Sequence, residues 1–188
     1  MGLDELFSKD IGPGNCLIDT WVRKNSKKKF DHNGYLASIG KKNEIIFEQA
    51  QELYYNRNKE KKSFDTNDFD ISFSRGLSLE DGTTTLTEFT GSIIAETISL
   101  LAKNEKTFNN IIICGGGRKN KMLMKIIQKN LSQKIKIKMI EDYGINGDFV
   151  ESKAFAFLAI RSYKKLPITF PSTTNCKKPC TGGEIIEN

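Results

Sequence analysis

The sequence predicts an α/β fold, in which two short strands pair in parallel through a connecting helix. Three observations predict it. Residues 111–114 are a short isoleucine-rich run, typical of a buried strand. Three glycines follow, and residues 119–130 then carry apolar side chains at helical spacing. A second isoleucine-rich run, residues 135–139, completes the order strand, helix, strand, which indicates a parallel βαβ unit within a central sheet flanked by helices.

Apolar spacing predicts further helices on both sides of this unit. A first helix begins after Asn15, a suitable N-cap, and a second covers residues 44–55. Ser78 is expected to cap a long third helix, and the last helix covers about residues 149–164. The side chains expected to face the core from the first three helices are, in chain order, Leu17, Ile18, Trp21 and Val22; Ile45, Ile46, Ala50, Leu53 and Tyr54; and Leu86, Phe89, Ile93, Ile94, Ile98 and Leu101. The last helix carries the apolar residues Val150, Ala154, Phe155, Phe157, Leu158 and Ile160.

Length and composition indicate one globular domain. The chain has 188 residues, of which 38% are hydrophobic and 28% charged, so residues 1–188 can bury a core of their own. No apolar run has the length of a membrane span, and the first ten residues lack the pattern of a signal peptide. These features predict a cytoplasmic protein that does not associate with membranes.

The net charge of +6 makes a nucleic-acid-binding domain an alternative. The lysines are scattered, however, and no zinc-finger, RNP or basic-zipper pattern is present. A solvated lysine face is therefore the favoured interpretation, and no nucleic-acid partner is expected.

No metal-binding site is expected in the chain. Cys176 and Cys180 are closely spaced, but the sequence has a single histidine and no second close cysteine pair. Asp65, Asp68 and Asp70 lack the glycine and glutamate of a calcium-binding loop. The four cysteines are interpreted as reduced thiols.

The glycines between strand and helix are a candidate phosphate or nucleotide site. Gly115, Gly116 and Gly117 would let a ligand approach the backbone, and the following helix start offers free N–H groups. A purely structural turn explains three glycines equally well, since the spacing of neither a P-loop nor a dinucleotide fingerprint is present.

Several blocks together resemble one enzyme family. They are D-I-G-P-G-N at residues 10–15, F-D-H-N-G-Y-L-A-S-I-G, C-G-G-G-R-K-N, D-Y-G-I and E-S-K-A-F-A-F-L-A. In order and spacing, from Asp10 to about Ile186, they resemble the C-terminal half of anhydro-N-acetylmuramic acid kinases. That family belongs to the sugar kinase, Hsp70 and actin superfamily. The resemblance implies the C-terminal domain of an actin-like ATPase (ribonuclease H-like) fold.

The resemblance also implies roles for individual residues. Asp10 would be catalytic and activate the water that opens the 1,6-anhydro bond. On the residues alone, a turn or capping role for Asp10 is the simpler interpretation, and Glu151 could equally be an exposed first-turn glutamate. The resemblance assigns sugar binding to Gly12, Gly14, Asn15 and Glu151, and nucleotide binding to Gly115, Gly116, Gly117 and Asn120. Arg118 would either bind phosphate or face solvent.

The expected co-substrate is ATP, with Mg²⁺ held mainly through its phosphates, and the expected sugar is 1,6-anhydro-N-acetylmuramic acid.

The M-S-G-T-S-x-D-G, H-G-Q-T and N-I-G-G blocks of the family are not found here, and residues 61–66 match its K-S-T-G-R block poorly. We therefore expect an N-terminal phosphate-binding domain to be missing and the chain to be inactive alone. A homodimer of the full-length protein is compatible with the resemblance. An ATP- or sugar-binding regulatory module without catalysis remains the alternative.

Overall fold

Seven α-helices and two strands make up the described part of the chain, which in this computed structural model comprises residues 8–58, 64, 69–104, 110–184 and 186. In chain order they are α1 (Cys16–Asn25), α2 (Tyr35–Ile39), α3 (Glu44–Asn58), α4 (Leu79–Asn104), β1 (Asn110–Ile113), α5 (Lys121–Asn130), β2 (Lys136–Met139), α6 (Val150–Tyr163) and α7 (Pro171–Thr174). Short 3₁₀ turns lie between them at His32–Gly34, Ser72–Ser74, Gly116–Lys119 and Ile140–Tyr143.

The long helix α4 is the centre of the fold, since it contacts α1, α2, α3 and α5. Its predicted cap is confirmed, because the Ser78 hydroxyl accepts a hydrogen bond from the Asp81 N–H at 3.1 Å. Helix α1 packs very closely against it: a Cβ at Gly82 would lie 2.3 Å from a ring carbon of Trp21. The Trp21 indole N–H donates to the Leu79 carbonyl at 3.0 Å, which fixes this contact.

Two groups of buried side chains form the core. The first lies between α1, α3 and α4 and includes three expected residues of α1 (Leu17, Ile18 and Trp21) and those of the N-terminal part of α4. The second lies between the C-terminal part of α4, helix α5 and one face of the sheet. The buried residues that the sequence predicted correctly are Leu17, Ile18, Trp21, Val22, Ala50, Tyr54, Leu86, Phe89, Ile93 and Ile98.

The predicted parallel pairing is confirmed, with Ile111 opposite Ile137 in the β1–β2 register. Both side chains pack against the second core group, whereas Ile112 on β1 is exposed. Within the described residues the sheet has these two strands, and α4 and α5 pack against the face that carries Ile111 and Ile137. The expectation of a central sheet flanked by helices is not met by this part of the chain.

Helix α6 forms where it was expected, but its side chains do not face a core. Val150 and Leu158 are half-buried, and the other four apolar residues of this helix are exposed: Ala154, Phe155, Phe157 and Ile160. Apolar composition shows that a helix needs cover but does not show that the cover lies in this chain. In α3, Ile45 and Leu53 are likewise exposed, since that helix packs along one side only.

Some sequence-based expectations fall outside the described residues. These are the segment compared with the K-S-T-G-R block, apart from Phe64, and the aspartates Asp65 and Asp68. None of the helices in the described ranges combines the length and apolar character needed to cross a membrane.

Candidate functional site

The Asp10 turn, residues 10–15, leads directly into α1. Gly14 has a φ of +54°, a conformation that favours glycine, and the Cys16 N–H donates to the Pro13 carbonyl at 3.0 Å to start the helix. Asp10 is exposed at the beginning of the turn. Gly12 lies against the core, where a Cβ would reach a methyl group of Ile93 at 3.4 Å.

Tyr54 on α3 holds the Asp10 turn by a hydrogen bond. Its hydroxyl donates to the Ile11 carbonyl at 2.7 Å, next to Asp10 in the chain. The ring is buried among Phe64 and Phe89, and burial raises the pKa of Tyr54, so the hydroxyl keeps its proton and remains a donor. The sequence predicted Tyr54 as an inward residue but gave no sign of this contact, because the two residues are 43 positions apart.

The glycine turn, residues 115–117, follows the carboxyl end of β1 as predicted. Gly115 has a φ of +78°, while Gly116 and Gly117 begin the 3₁₀ turn that precedes α5. The turn is open to solvent: a Cβ built on Gly115 or Gly116 would meet no atom within 4 Å. A ligand could therefore lie directly against this backbone.

Asn15 brings the two turns together. It occupies the N-cap position of α1, but its side chain makes no capping hydrogen bond, contrary to the prediction. Instead both terminal atoms of the side chain lie 3.8 Å from the Cβ position of Gly117. Its Oδ1 is buried and has no hydrogen-bond partner among the described residues. The Asp10 turn and the glycine turn thus meet at Asn15 and Gly117.

Asn120 caps its helix with a side-chain hydrogen bond, which Asn15 does not do. Its side chain accepts a hydrogen bond from the Leu123 N–H at 3.1 Å and caps α5. Gly34, with a φ of +73°, approaches so closely that a Cβ there would lie 2.4 Å from the Asn120 Oδ1. The 3₁₀ turn His32–Gly34 therefore adjoins the start of α5. The D-H-N-G block of the sequence therefore lies beside the glycine turn, a position that no local pattern predicted.

Arg118 stabilises the glycine turn through a hydrogen bond and two ion pairs. Its guanidinium donates to the Gly115 carbonyl at 2.9 Å and forms ion pairs with Glu141 at 2.6 Å and Asp148 at 2.8 Å. Lys119 pairs with the second oxygen of Asp148 at 2.6 Å. The Arg118 side chain is only 8% exposed, so the predicted solvent position is wrong, whereas phosphate binding stays a prediction.

These ion pairs perturb both carboxylates. The hydrogen bond from Arg118 lowers the pKa of Glu141 below its ordinary value. The pKa of Asp148 is lowered by hydrogen bonds from Lys119 and then from Arg118. Both groups therefore stay ionised near neutral pH and hold the glycine turn to the loop before α6.

Glu151 lies in the first turn of α6, exposed to solvent. The loop just before it is fastened to the glycine turn by Asp148 and by a hydrogen bond from the Gly115 N–H to the Gly147 carbonyl at 3.4 Å. Glu151 is therefore connected to the glycine turn through the loop that precedes α6.

In chemical terms, the site offers an exposed carboxylate at Asp10, a partnerless amide oxygen at Asn15 and an open glycine backbone. In the part of the chain that the structure describes, no three histidine, cysteine, aspartate or glutamate side chains are grouped to hold a metal ion. All four cysteines have free thiols. The exposed carboxylate and the open glycine backbone suit an organic or nucleotide ligand.

Comparison with known proteins agrees with the resemblance seen in the sequence. The sequence profile of the anhydro-N-acetylmuramic acid kinase family matches residues 3–188. A protein of that name from Pelagibacter ubique is 49% identical over 187 residues, which cover 98% of this chain and 50% of the relative. Its namesake from Zymomonas mobilis is 37% identical over the same shares of the two chains. The chain spans about half the length of the curated relatives it matches.

Proposed function

The chain belongs to the anhydro-N-acetylmuramic acid kinase family, and on that premise we propose that it supplies the sugar-activating carboxylate and the adenosine side of the ATP site of such a kinase. The observation that carries the proposal is the close approach of the Asn15 side chain to Gly117, whose Cβ position lies 3.8 Å from it. It joins the turn that would hold the sugar to the turn that would hold the nucleotide. The corresponding fold is the C-terminal domain of an actin-like ATPase.

In the proposed reaction Asp10 acts as the general base. Its carboxylate takes a proton from a water molecule that attacks the anomeric carbon of 1,6-anhydro-N-acetylmuramic acid. The anhydro bond opens, and the sugar oxygen released at position 6 accepts the terminal phosphoryl group of ATP. The products are N-acetylmuramic acid 6-phosphate and ADP. Gly12, Gly14, Asn15 and Glu151 would position the sugar.

ATP fits the open backbone of the glycine turn. Gly115, Gly116 and Gly117 would lie along its adenosine and first phosphate, where the lack of Cβ atoms leaves room for it. Asn120 would contribute by fixing the start of α5, next to the same backbone. Mg²⁺ would be held through the phosphate oxygens. We further propose a cytoplasmic location, where ATP is available.

A chimeric kinase tests this proposal. Residues 1–188 replace the matching half of the Pelagibacter ubique relative, and formation of ADP and sugar phosphate is measured with 1,6-anhydro-N-acetylmuramic acid. Loss of a general base costs about 10²–10⁴-fold, so Asp10→Asn is expected to lower turnover by that factor without weakening sugar binding.

Asp70→Asn is the matched control, because Asp70 is an exposed carboxylate whose oxygen accepts from the Ser72 N–H, and an amide oxygen can do the same. Near-normal turnover of Asp10→Asn would make Asp10 a turn residue. A folded chimera that binds sugar and ATP but produces no phosphosugar would instead support the alternative of a binding or regulatory module.

A further inference from the structure

Helix α6 carries exposed apolar side chains all around its circumference, and its charged residues are Glu151, Lys153 and Arg161. The exposed fractions are 64% for Phe155, 59% for Phe157 and 57% for Ile160, and these side chains point in different directions around the helix. Tyr163 at its end and Phe149 just before it are exposed as well. A helix that is hydrophobic all round is normally buried, and a patch of this kind marks an interaction surface.

The small sheet beside this helix also lacks cover. Within the described residues it has two strands, and Ile112 on β1 is exposed on the face away from the second core group. Parallel sheets are normally covered on both faces, and two strands alone are marginally stable. What covers this region therefore has to surround a helix and complete a sheet, which a short peptide cannot do.

The relatives show where a folded region of that size would come from. They match this chain over 98% of its length, but the match accounts for only 50% of the Pelagibacter ubique protein. We propose that α6, together with Phe149 and Ile112, is the docking surface for the half of the kinase chain that this sequence does not match. The inference rests on family membership and on exposed apolar surface, and it does not depend on the proposed chemistry.

The test measures binding of two separately produced polypeptides. The 188-residue chain is titrated with the non-matching half of the Pelagibacter ubique relative, and the dissociation constant is determined by calorimetry. The probe variant is Ile160→Asp. The control is Ile45→Asp, the same change at an isoleucine that is 69% exposed on α3, between the charged residues Lys42 and Glu48.

Both isoleucines are exposed, so both variants are expected to keep the circular dichroism spectrum and melting temperature of the parent chain. Ile160→Asp should weaken binding at least about tenfold, because it removes an apolar side chain from the interface, and Ile45→Asp should bind as the parent does. Should the isolated chain precipitate, the same variants are compared by co-expression and co-purification of the two halves.

Three results would overturn the inference: no association of the parent chain with the other half, equal loss of binding in both variants, or a self-associated chain that Ile160→Asp converts to a monomer. The last result would assign α6 to a second copy of the chain. Two halves that associate without turning over substrate would support this docking surface while contradicting the proposed kinase function.

Discussion

The two asparagines of the site differ in what their side chains do for the fold. Asn15 and Asn120 both occupy N-cap positions, but only Asn120 accepts a hydrogen bond from its helix. Leaving a buried polar atom without a partner costs about 1–3 kcal/mol, so the position of the Asn15 side chain is unfavourable for stability.

This difference predicts opposite outcomes for the same substitution. Asn120→Ala should lower the free energy of unfolding by about 0.5–2 kcal/mol, the usual effect of removing a cap. Asn15→Ala should leave it unchanged or raise it, because no capping bond is lost and a partnerless oxygen is removed. Urea unfolding of the two variants beside the parent chain checks the prediction. Equal destabilisation would mean that Asn15 caps α1 after all.

Gly116→Val separates a ligand-binding glycine from a structural one. A Cβ at Gly116 meets no atom within 4 Å, so the folded chain should tolerate the change. The same side chain would occupy the space proposed for the nucleotide, so the chimeric kinase should need more ATP, while turnover at saturation persists. Steady-state kinetics against ATP concentration measures this. Gly182→Val is the control, since its Cβ would meet Ile168 at an ordinary 3.5 Å outside the site. Unchanged nucleotide affinity in Gly116→Val would make the turn structural.

At the scale of single elements, the sequence predicted best those helices whose partners lie within the chain. Leu17, Trp21 and Val22 of α1 are buried as expected, because α4 provides the opposing surface. Periodicity shows the spacing of the apolar residues, and it located α6 as accurately as it located α1. It could not report that Phe155 and Ile160 have no cover here, since that depends on residues outside the periodic segment.

The ion pairs that join the glycine turn to the loop before α6 predict sensitivity to acid. The pKa values of Glu141 and Asp148 are lowered in the folded chain, so their contribution to stability is complete above the ordinary carboxylate pKa of about 4 and is lost as the pH falls through the lower folded values. Both carboxylates are 44% exposed, and solvent screening therefore keeps the contribution small.

Unfolding measured between pH 7 and pH 2 should show this loss in the parent chain. It should be smaller in Arg118→Met, which cannot hold the carboxylates in their charged forms. An identical acid profile for the two proteins would show that the cluster does not contribute to folding stability.

At the scale of the whole molecule, the candidate site is assembled from segments that are distant in the sequence. Tyr54 supports Ile11 across 43 positions, and Asn15 meets Gly117 through the packing of helices around α4. Local patterns located each turn, and the family resemblance suggested that they act together. Neither could predict the contacts, because these follow from how α1, α3 and α5 are arranged on α4.

The same view of the whole molecule predicts that the 188-residue chain alone has little or no kinase activity. Phosphoryl transfer depends on positioning the reactants in a closed site that excludes water, and in the proposed kinase a second domain would close that site. Here Asp10 and Gly116 are both open to solvent. The measurement is ATP consumption with 1,6-anhydro-N-acetylmuramic acid, first with the chain alone and then with the non-matching half of the Pelagibacter ubique relative added. Turnover should appear only in the second assay and should disappear with Asp10→Asn. Robust turnover by the chain alone would show that the Asp10 turn and the glycine turn already form a complete site.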